Sequence, residues 1–212
     1  MFLNNLKFGW RNLRKNKIYT FINVLGLTAG IAAVLLIYQV VSYELSFNQN
    51  FKNYDRIVRV VSMSKDAEGS ESPNVCVPVP AGEALVSTIS QFEKKSRIKE
   101  VWATLTVANP AGGAPLKKFS TSDEETAFFV EPDFFQIFDL QWLAGDPASA
   151  VNEPNTIVLT KSWAEKCFDN WQNAIGKTVL IDNIYPVQVT GVVENLPDNC
   201  DFTMPFLISY AT

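Results

Sequence analysis

A long apolar segment close to the N-terminus dominates the hydrophobic pattern of this 212-residue chain. Residues 18–43 contain no charged side chain. About 20 apolar residues in a helix cross the hydrocarbon core of a bilayer, so residues 18–43 are predicted to form a transmembrane helix. The alternative is a cleaved signal peptide, because Gly30-Ile31-Ala32 has the shape of a cleavage site. Apolar residues 34–37 follow that site directly, which favours an uncleaved membrane span.

An amphipathic pattern precedes this span. Its apolar residues recur at spacings of three and four: Leu3, Leu6, Trp10 and Leu13. The same segment has five basic residues and no acidic one: Lys7, Arg11, Arg14, Lys15 and Lys17. Residues 1–17 are therefore predicted to be a basic amphipathic helix on the cytoplasmic face, broken or capped at Asn16. Anionic lipid headgroups are the expected partner of these charges. The positive-inside rule then places residues 44–212 on the far side of the membrane.

The membrane span itself carries small and polar residues. Gly26 and Gly30 form a G-x-x-x-G pattern, which lets a second helix approach closely. Asn23 adds polar atoms that hydrocarbon would leave unpaired. We predict that Gly26, Gly30 and Asn23 pack against other membrane helices, with an isolated anchor as the alternative.

Beyond the span, short strand and helix patterns alternate, which predicts an α+β domain, with an α/β layer as the alternative. The first predicted elements are a strand at 57–63, a loop at 65–80, a helix from 81 to 95 and a strand at 98–107, which together form a β-α-β unit. Further strands are predicted at 118–121, 127–130, 157–159 and 204–210. A short helix is expected after Pro132, and a hairpin over 178–193 turns at Asp182-Asn183. The helix ending at Phe168 is expected to begin with a cap from Thr160, or from Ser162 in a capping box with Glu165.

The aromatic stretch at 127–142 is open to two interpretations, a ligand groove or core packing. Core packing is favoured because aromatic side chains dominate ordinary cores.

Charge and composition exclude several classes of protein. The chain has 18 basic and 22 acidic residues, and removal of the five N-terminal basic residues leaves 13 against 22. Such an acidic domain is unsuited to phosphate contacts, so no nucleic-acid partner is expected. The chain has no histidine, which removes the commonest general base and zinc ligand. The acidic pairs Glu124/Glu125 and Asp198/Asp201 are interpreted as solvated surface. We predict no catalytic, cofactor-binding or metal-binding residues, and an enzyme is disfavoured.

Cysteine usage and nucleotide motifs narrow the picture further. Cys76, Cys167 and Cys200 form no C-x-x-C motif. One disulfide is possible in an oxidising compartment, but three small buried residues are the favoured interpretation. The chain contains no G-x-x-x-x-G-K-S/T phosphate loop, so ATP is not expected to bind to it.

Several short motifs occur in a fixed order along nearly the whole chain. They are WRNLRKNK at 10–17, NVLGLTAG at 23–30, YELSF at 43–47, DRIVRV at 55–60, FDLQWLAGDP at 138–147, IVLTKSWA at 157–164, VTGV at 189–192 and LP at 196–197. This ordered set closely resembles the MacB/FtsX-type ABC transporter permeases, in the form common among Bacteroidetes-like bacteria.

The resemblance implies a permease subunit in the bacterial inner membrane. It implies a permease dimer working with a separate cytoplasmic ATPase, which binds the ATP and moves the periplasmic domain by mechanotransmission. The transported cargo would be a lipoprotein, peptide or amphiphile. Residues 44–212 would be the MacB-like periplasmic core domain, with a Porter-like part at 57–107 and 187–212 and an inserted β-rich, Sabre-like lobe at 115–185.

The chain differs from this family in one respect. Such permeases have at least four membrane helices, and this sequence contains one predicted span. We therefore expect the N-terminal part of a longer permease, truncated at its C-terminus. The alternative is a single-pass, membrane-anchored binding or sensor domain without transport activity.

Overall fold

The computed structural model describes residues 2–109, 112–122 and 125–212, without the side chains of residues 2–6 and 8. The chain divides into two compact units, Met1–Phe47 and Asn48–Thr212. The second unit is called the sheet domain below.

The first unit consists of two helices. Helix α1 (Phe2–Lys15) and helix α2 (Lys17–Leu45) are separated by Asn16, which confirms the predicted break. The Asn16 side-chain amide donates to Asn12 Oδ1 at 3.1 Å, and the Thr20 hydroxyl donates to the Leu13 carbonyl at 3.0 Å. The Thr20 hydroxyl therefore satisfies one backbone carbonyl at the junction, and the Asn16–Asn12 bond joins two side chains there.

The sheet domain mixes helices with strands, so the predicted α+β class is confirmed. Its helices are α3 (Ala81–Thr88), α4 (Phe134–Ile137) and α5 (Lys161–Phe168), with 3-10 turns at Tyr54–Arg56 and Trp171–Asn173. Its strands are β1 (Ser62–Lys65), β2 (Glu71–Asn74), β3 (Ile98–Val101), β4 (Thr104–Val107), β5 (Lys117–Ser120), β6 (Ala127–Val130), β7 (Trp142–Ala144), β8 (Thr156–Thr160), β9 (Thr178–Ile181), β10 (Tyr185–Val193) and β11 (Phe206–Ser209).

Nine of the described strands form one curled sheet. Their order is β3-β6-β11-β8-β10-β9-β4-β5, and β7 pairs with β10. In a flat sheet, the six steps from β3 to β4 would separate these strands by about 29 Å. Only Trp102 and Ala103 connect them, however, and that link spans about 11 Å at most. The sheet must therefore curl until β3 and β4 come close together.

Both faces of the central strands are buried, because side chains alternate between two clusters. Ile157 and Leu159 of β8 lie in an inner cluster with residues from strands all around the curl, and α5 adds Trp163 to it. Val158 points to an outer cluster, where Phe134 and its α4 neighbours cover the sheet. This explains why every residue of β8 and of β11 is buried. The core interpretation of the aromatic stretch at 127–142 is confirmed, since Phe128, Phe134, Phe135 and Phe138 are buried in the outer cluster.

The structure corrects several predicted elements in residues 57–107. The first strand begins at Ser62 rather than at residue 57 and pairs with β2, a strand inside the predicted loop. These two strands form a separate two-stranded sheet. Helix α3 ends at Thr88 rather than near residue 95. The predicted strand 98–107 is two strands, because the chain leaves the sheet at Trp102-Ala103 and re-enters beyond the curl.

The cap of α5 is also different from the prediction. The Thr160 hydroxyl donates to the Pro205 carbonyl at 3.0 Å, and no side-chain cap comes from Thr160. Ser162 lies inside the helix, and its backbone N–H donates to Asn195 Oδ1 at 3.0 Å. Asn195, which is 33 positions away along the chain, thus caps the start of α5 in place of the predicted local capping box. The predicted hairpin at 178–193 is confirmed, with Asp182 and Asn183 at positive φ.

Candidate functional site

Helix α2 is long and apolar enough to cross a membrane. Its 29 residues span about 43 Å, more than the roughly 30 Å of a bilayer core. Its most apolar 18-residue window has a mean hydropathy of 2.2, and none of that window is buried by the rest of the protein. A core helix of this composition would be covered by other parts of the fold. The predicted bounds 18–43 lie within α2.

The predicted basic flank lies at the junction of the two helices. Lys7, Arg11, Arg14 and Lys15 lie on α1, Lys17 begins α2, and all five are exposed. Trp10 and Leu13 on α1 are also exposed, whereas the side chains of Leu3 and Leu6 lie outside the described residues. The flank thus combines cations with accessible apolar side chains. Its contact with lipid remains a prediction.

The predicted packing face of α2 is open. Asn23, Gly26 and Gly30 follow one another at spacings of three and four, so they share one face of the helix. A Cβ atom built at Gly26 or Gly30 would meet nothing within 4 Å. The face is therefore available for another helix, and helix packing there remains a prediction.

Residues 52–102 form an uncovered part of the sheet domain. All of them are described and none is buried. Large apolar side chains are exposed along this segment: Val58, Val60, Val61, Met63, Val75, Val77, Val79 and Trp102. The segment has eight basic and seven acidic residues, whereas residues 103–212 have five and 14. The negative charge of the sheet domain is therefore carried by residues 103–212, which include the buried core. The exposed apolar side chains belong to residues 52–102, which are nearly neutral.

An ion pair fastens the edge of the curled sheet. The Arg97 guanidinium donates through Nε and an Nη atom to Glu131 Oε1, at 2.8 and 2.5 Å, and the Arg97 backbone N–H donates to Oε2 at 2.8 Å. The guanidinium also lies 4.8 Å from the ring centroid of Tyr210. Burial alone would raise the pKa of Glu131, but the hydrogen bonds from Arg97 outweigh it, so this pKa is lowered. The same hydrogen bond raises the pKa of Arg97. Sequence reasoning missed this pair because its members are 34 residues apart.

The three cysteines are all described and all free. Cys167 and Cys200 are buried, as predicted, but Cys76 is exposed, so the interpretation of three buried residues is wrong for Cys76. Cys76 lies in the uncovered segment, which has no core to bury it. Burial raises the pKa of Cys167 to about 11 and also raises the pKa of Cys200.

The remaining polar features of the sheet domain are the acidic pairs and an open cleft. Asp201 accepts a hydrogen bond from Asn48, and Glu124 lies outside the described residues. Across residues 2–109, 112–122 and 125–212, no group of three or more His, Cys, Asp or Glu side chains is placed to hold a metal ion. An open cleft of about 520 Å³ lies beside Thr156, Thr178 and Gln188.

The two units together define a class of protein: an α+β domain attached to a helix suited to a membrane. Residues 20–212 match the family model of the MacB-like periplasmic core domain. The chain belongs to this family, whose members are domains of ABC transporter permeases. The match includes most of α2 as well as the sheet domain, and it places the protein at the inner membrane.

Known relatives are distant and longer. The macrolide export ATP-binding/permease proteins MacB of Salmonella paratyphi A and Salmonella typhi are each 22% identical over 206 residues. The alignments cover 92% of this chain and 29% of each relative, so the chain spans less than a third of their length.

A solved structure shows the same fold. A domain of a protein described as a permease, from Porphyromonas gingivalis, aligns with a TM-score of 0.63 and 21% identity, over 76% of this chain and 65% of that one. The periplasmic region of MacB from Actinobacillus actinomycetemcomitans is 20% identical over 62% of this chain and 56% of that one. Its TM-score of 0.44 is too low to compare folds.

The division into Porter-like and Sabre-like parts remains a prediction. Strands β3 and β4 of the predicted Porter-like part and strand β6 of the predicted Sabre-like lobe belong to one sheet.

Proposed function

We propose that this chain acts as a permease subunit of an ABC transporter of the mechanotransmission type. A separate cytoplasmic ATPase would drive its membrane helix, and the helix would move the periplasmic domain. The observation that carries this proposal is the family match, which begins at residue 20 inside α2 and continues to residue 212. Helix and sheet domain thus belong to one family unit. The cargo class that we propose is a lipoprotein, peptide or amphiphile.

The energy source is proposed to lie on another subunit. This sequence contains no phosphate loop. The curated relatives are named ATP-binding/permease proteins, and the chain spans less than a third of them. Nucleotide hydrolysis needs a phosphate-binding loop and residues 1–212 contain none, so ATP binds outside them; a separate cytoplasmic ATPase is the site that we propose.

The membrane unit is proposed to make two kinds of contact. The face formed by Asn23, Gly26 and Gly30 packs against other membrane helices, including those of a second permease copy, because small residues allow close approach. The basic residues of α1 stay in the cytoplasm beside anionic headgroups, which leaves residues 44–212 in the periplasm.

Co-purification and ATPase turnover test the proposed function. The protein purified from its native membrane should bring a phosphate-loop ATPase with it and stimulate ATP hydrolysis. Gly30→Ile should weaken this stimulation, because a large side chain separates the helices. Ala32→Ile, on a different face of α2, is the matched control. A pure preparation with no ATPase and no stimulation would favour the membrane-anchored binding domain instead.

Thiol labelling tests the orientation. Cys76 is exposed and free, so a membrane-impermeant maleimide added to spheroplasts should label it. Labelling that requires lysis of the spheroplasts would contradict a periplasmic sheet domain.

A further inference from the structure

The first residues of the sheet domain are bound to one distant loop. The Asn48 backbone N–H donates to the Asn199 carbonyl at 3.0 Å. The Asn48 side-chain amide donates to Asp201 Oδ2 at 2.6 Å, and the Asp201 backbone N–H donates back to Asn48 Oδ1 at 3.0 Å. Asn50 adds a bond from its Nδ2 to Asn199 Oδ1 at 3.0 Å. Four hydrogen bonds thus join residues separated by about 150 positions.

An apolar anchor accompanies these hydrogen bonds. Phe51 is 4% exposed, and its ring meets that of Phe138 edge-to-face at a centroid distance of 5.1 Å. Cys200, between the two bonded residues of the loop, is 5% exposed and belongs to the same outer cluster. Residues 48–51 and 199–201 are called the clasp below. Because the clasp combines directional hydrogen bonds with a buried aromatic ring, it fixes the position of residues 48–51 relative to residues 199–201.

The clasp connects to the centre of the curled sheet. Its loop lies in the segment between β10, which ends at Val193, and β11, which begins at Phe206. Strands β10 and β11 lie on either side of β8, and each is hydrogen-bonded to it. A displacement applied to an edge strand could separate that strand from its neighbour. A displacement applied here reaches strands that are bonded on both sides and packed on both faces, so the sheet moves as one body.

The chain itself links the clasp to the membrane helix. Helix α2 ends at Leu45, and the sheet domain begins at Asn48. We propose that the clasp is the point at which displacement of α2 enters the periplasmic domain, through residues 199–201 into the central strands. This inference rests on the proposed function, because it requires a membrane helix that is driven to move. It assigns a mechanical role to Asn48, Asn50 and Phe51, which the sequence patterns did not single out.

The closed state of the clasp can be measured through a native thiol. In a Cys76→Ser background, Cys200 reports the clasp and Cys167, buried on α5, reports the rest of the fold. Asn48→Gly with Asn50→Ala removes the three side-chain bonds. Glycine tolerates the positive φ of 59° at residue 48, so no backbone strain is added. At one fixed pH, with the whole chain in nanodiscs, Cys200 should react with a small maleimide about tenfold faster in this variant.

The controls separate the clasp from general loosening. Cys167 should stay unreactive in the double variant, which shows that the variant is folded. Asn152→Ala removes a similar exposed bond, from Nδ2 to the Ala148 carbonyl at 3.0 Å, and should leave the reactivity of Cys200 unchanged. An unchanged Cys200 rate in the folded double variant would contradict the clasp.

Transmission is measured with the protein in complex with its ATPase. A spectroscopic label on the exposed Cys76 should respond to nucleotide in the wild type and in Asn152→Ala. In Asn48→Gly with Asn50→Ala, ATPase turnover should persist while the response of the label is lost. A full response in this variant would overturn the mechanical role of the clasp and leave the proposed function intact. No response in the wild type would overturn the proposed function, and the clasp's role with it.

Discussion

Replacement of Glu131 by glutamine should destabilise the sheet domain more than the loss of an exposed ion pair would. The Glu131 side chain is 16% exposed and accepts three hydrogen bonds from Arg97, one from the backbone and two from the guanidinium. Glutamine has nearly the same shape but only one acceptor oxygen. Its NH₂ group must therefore face either the Arg97 backbone N–H or the guanidinium, and one of the two loses its partner.

The magnitude follows from these bonds. A hydrogen bond to a charged group contributes about 1.5–3 kcal/mol, and Arg97 is partly exposed, so we expect a loss of about 2 kcal/mol. For a domain of this size, that free energy corresponds to a decrease in Tm of about 4–8 °C. Glu71→Gln is the matched control, because Glu71 pairs with Lys65 at 2.7 Å while both side chains are more than half exposed. Exposed pairs contribute about 0–1 kcal/mol, so its Tm should change little.

Thermal unfolding of the whole chain in detergent, followed by circular dichroism at several pH values, tests both the size and the cause. The pKa of Glu131 is lower in the folded than in the unfolded state. The stabilisation is therefore present above the unfolded pKa of about 4.3 and is lost as the pH falls through the folded pKa. The Tm difference between wild type and Glu131→Gln should shrink in the same range. A difference no larger than that of Glu71→Gln at neutral pH, or one that persists unchanged in strong acid, would refute this reasoning.

Three further tests address other parts of the structure. Gly145→Ala should cost about 3 kcal/mol or more in chemical denaturation, because φ is +93° and a Cβ would lie 2.5 Å from the Thr190 carbonyl oxygen. Gly112→Ala, at φ +81° in open space, should cost about 1–2 kcal/mol. Asn195→Ala should lower the free energy of unfolding by about 1 kcal/mol, and Ser162→Ala should lower it by much less. If Ser162→Ala were the more destabilising of the two, the local capping box would be supported instead. Mass spectrometry after alkylation at neutral pH should find Cys76 modified and Cys167 unmodified, since burial raises the pKa of Cys167 to about 11; equal modification would contradict that burial.

Several features of this protein were decided by short stretches of sequence. The uncharged run at 18–43 required a helix of membrane-spanning length, because no other single segment satisfies its own backbone in hydrocarbon. Asp182-Asn183 between two apolar runs specified a hairpin, because these residues tolerate the positive φ that its tight turn needs. Strand β6 was predicted with its observed bounds. In the helix and the hairpin, the stabilising contacts lie within a few residues along the chain, whereas β6 pairs with the distant strands β3 and β11.

Other features depend on residues that only the folded chain brings together. The segment at 57–61 is rich in β-branched residues, yet it pairs with no described strand, because β propensity does not supply a partner. The same limit applies to residues 98–107, where the curl of the sheet decides that two adjacent strands have different neighbours.

The candidate functional features divide in the same way. The sequence by itself determined the membrane helix, its basic flank, the α+β class and the family, because periodicity, charge and ordered motifs are local properties of the chain. Only the tertiary structure determined the Arg97–Glu131 pair, the Asn195 cap and the clasp between residues 48–51 and 199–201. Hydrogen bonds act over about 3 Å, and their partners here are 34, 33 and about 150 positions apart along the chain. A local sequence pattern cannot indicate such partners, because only the packing of the whole sheet brings them within hydrogen-bonding distance.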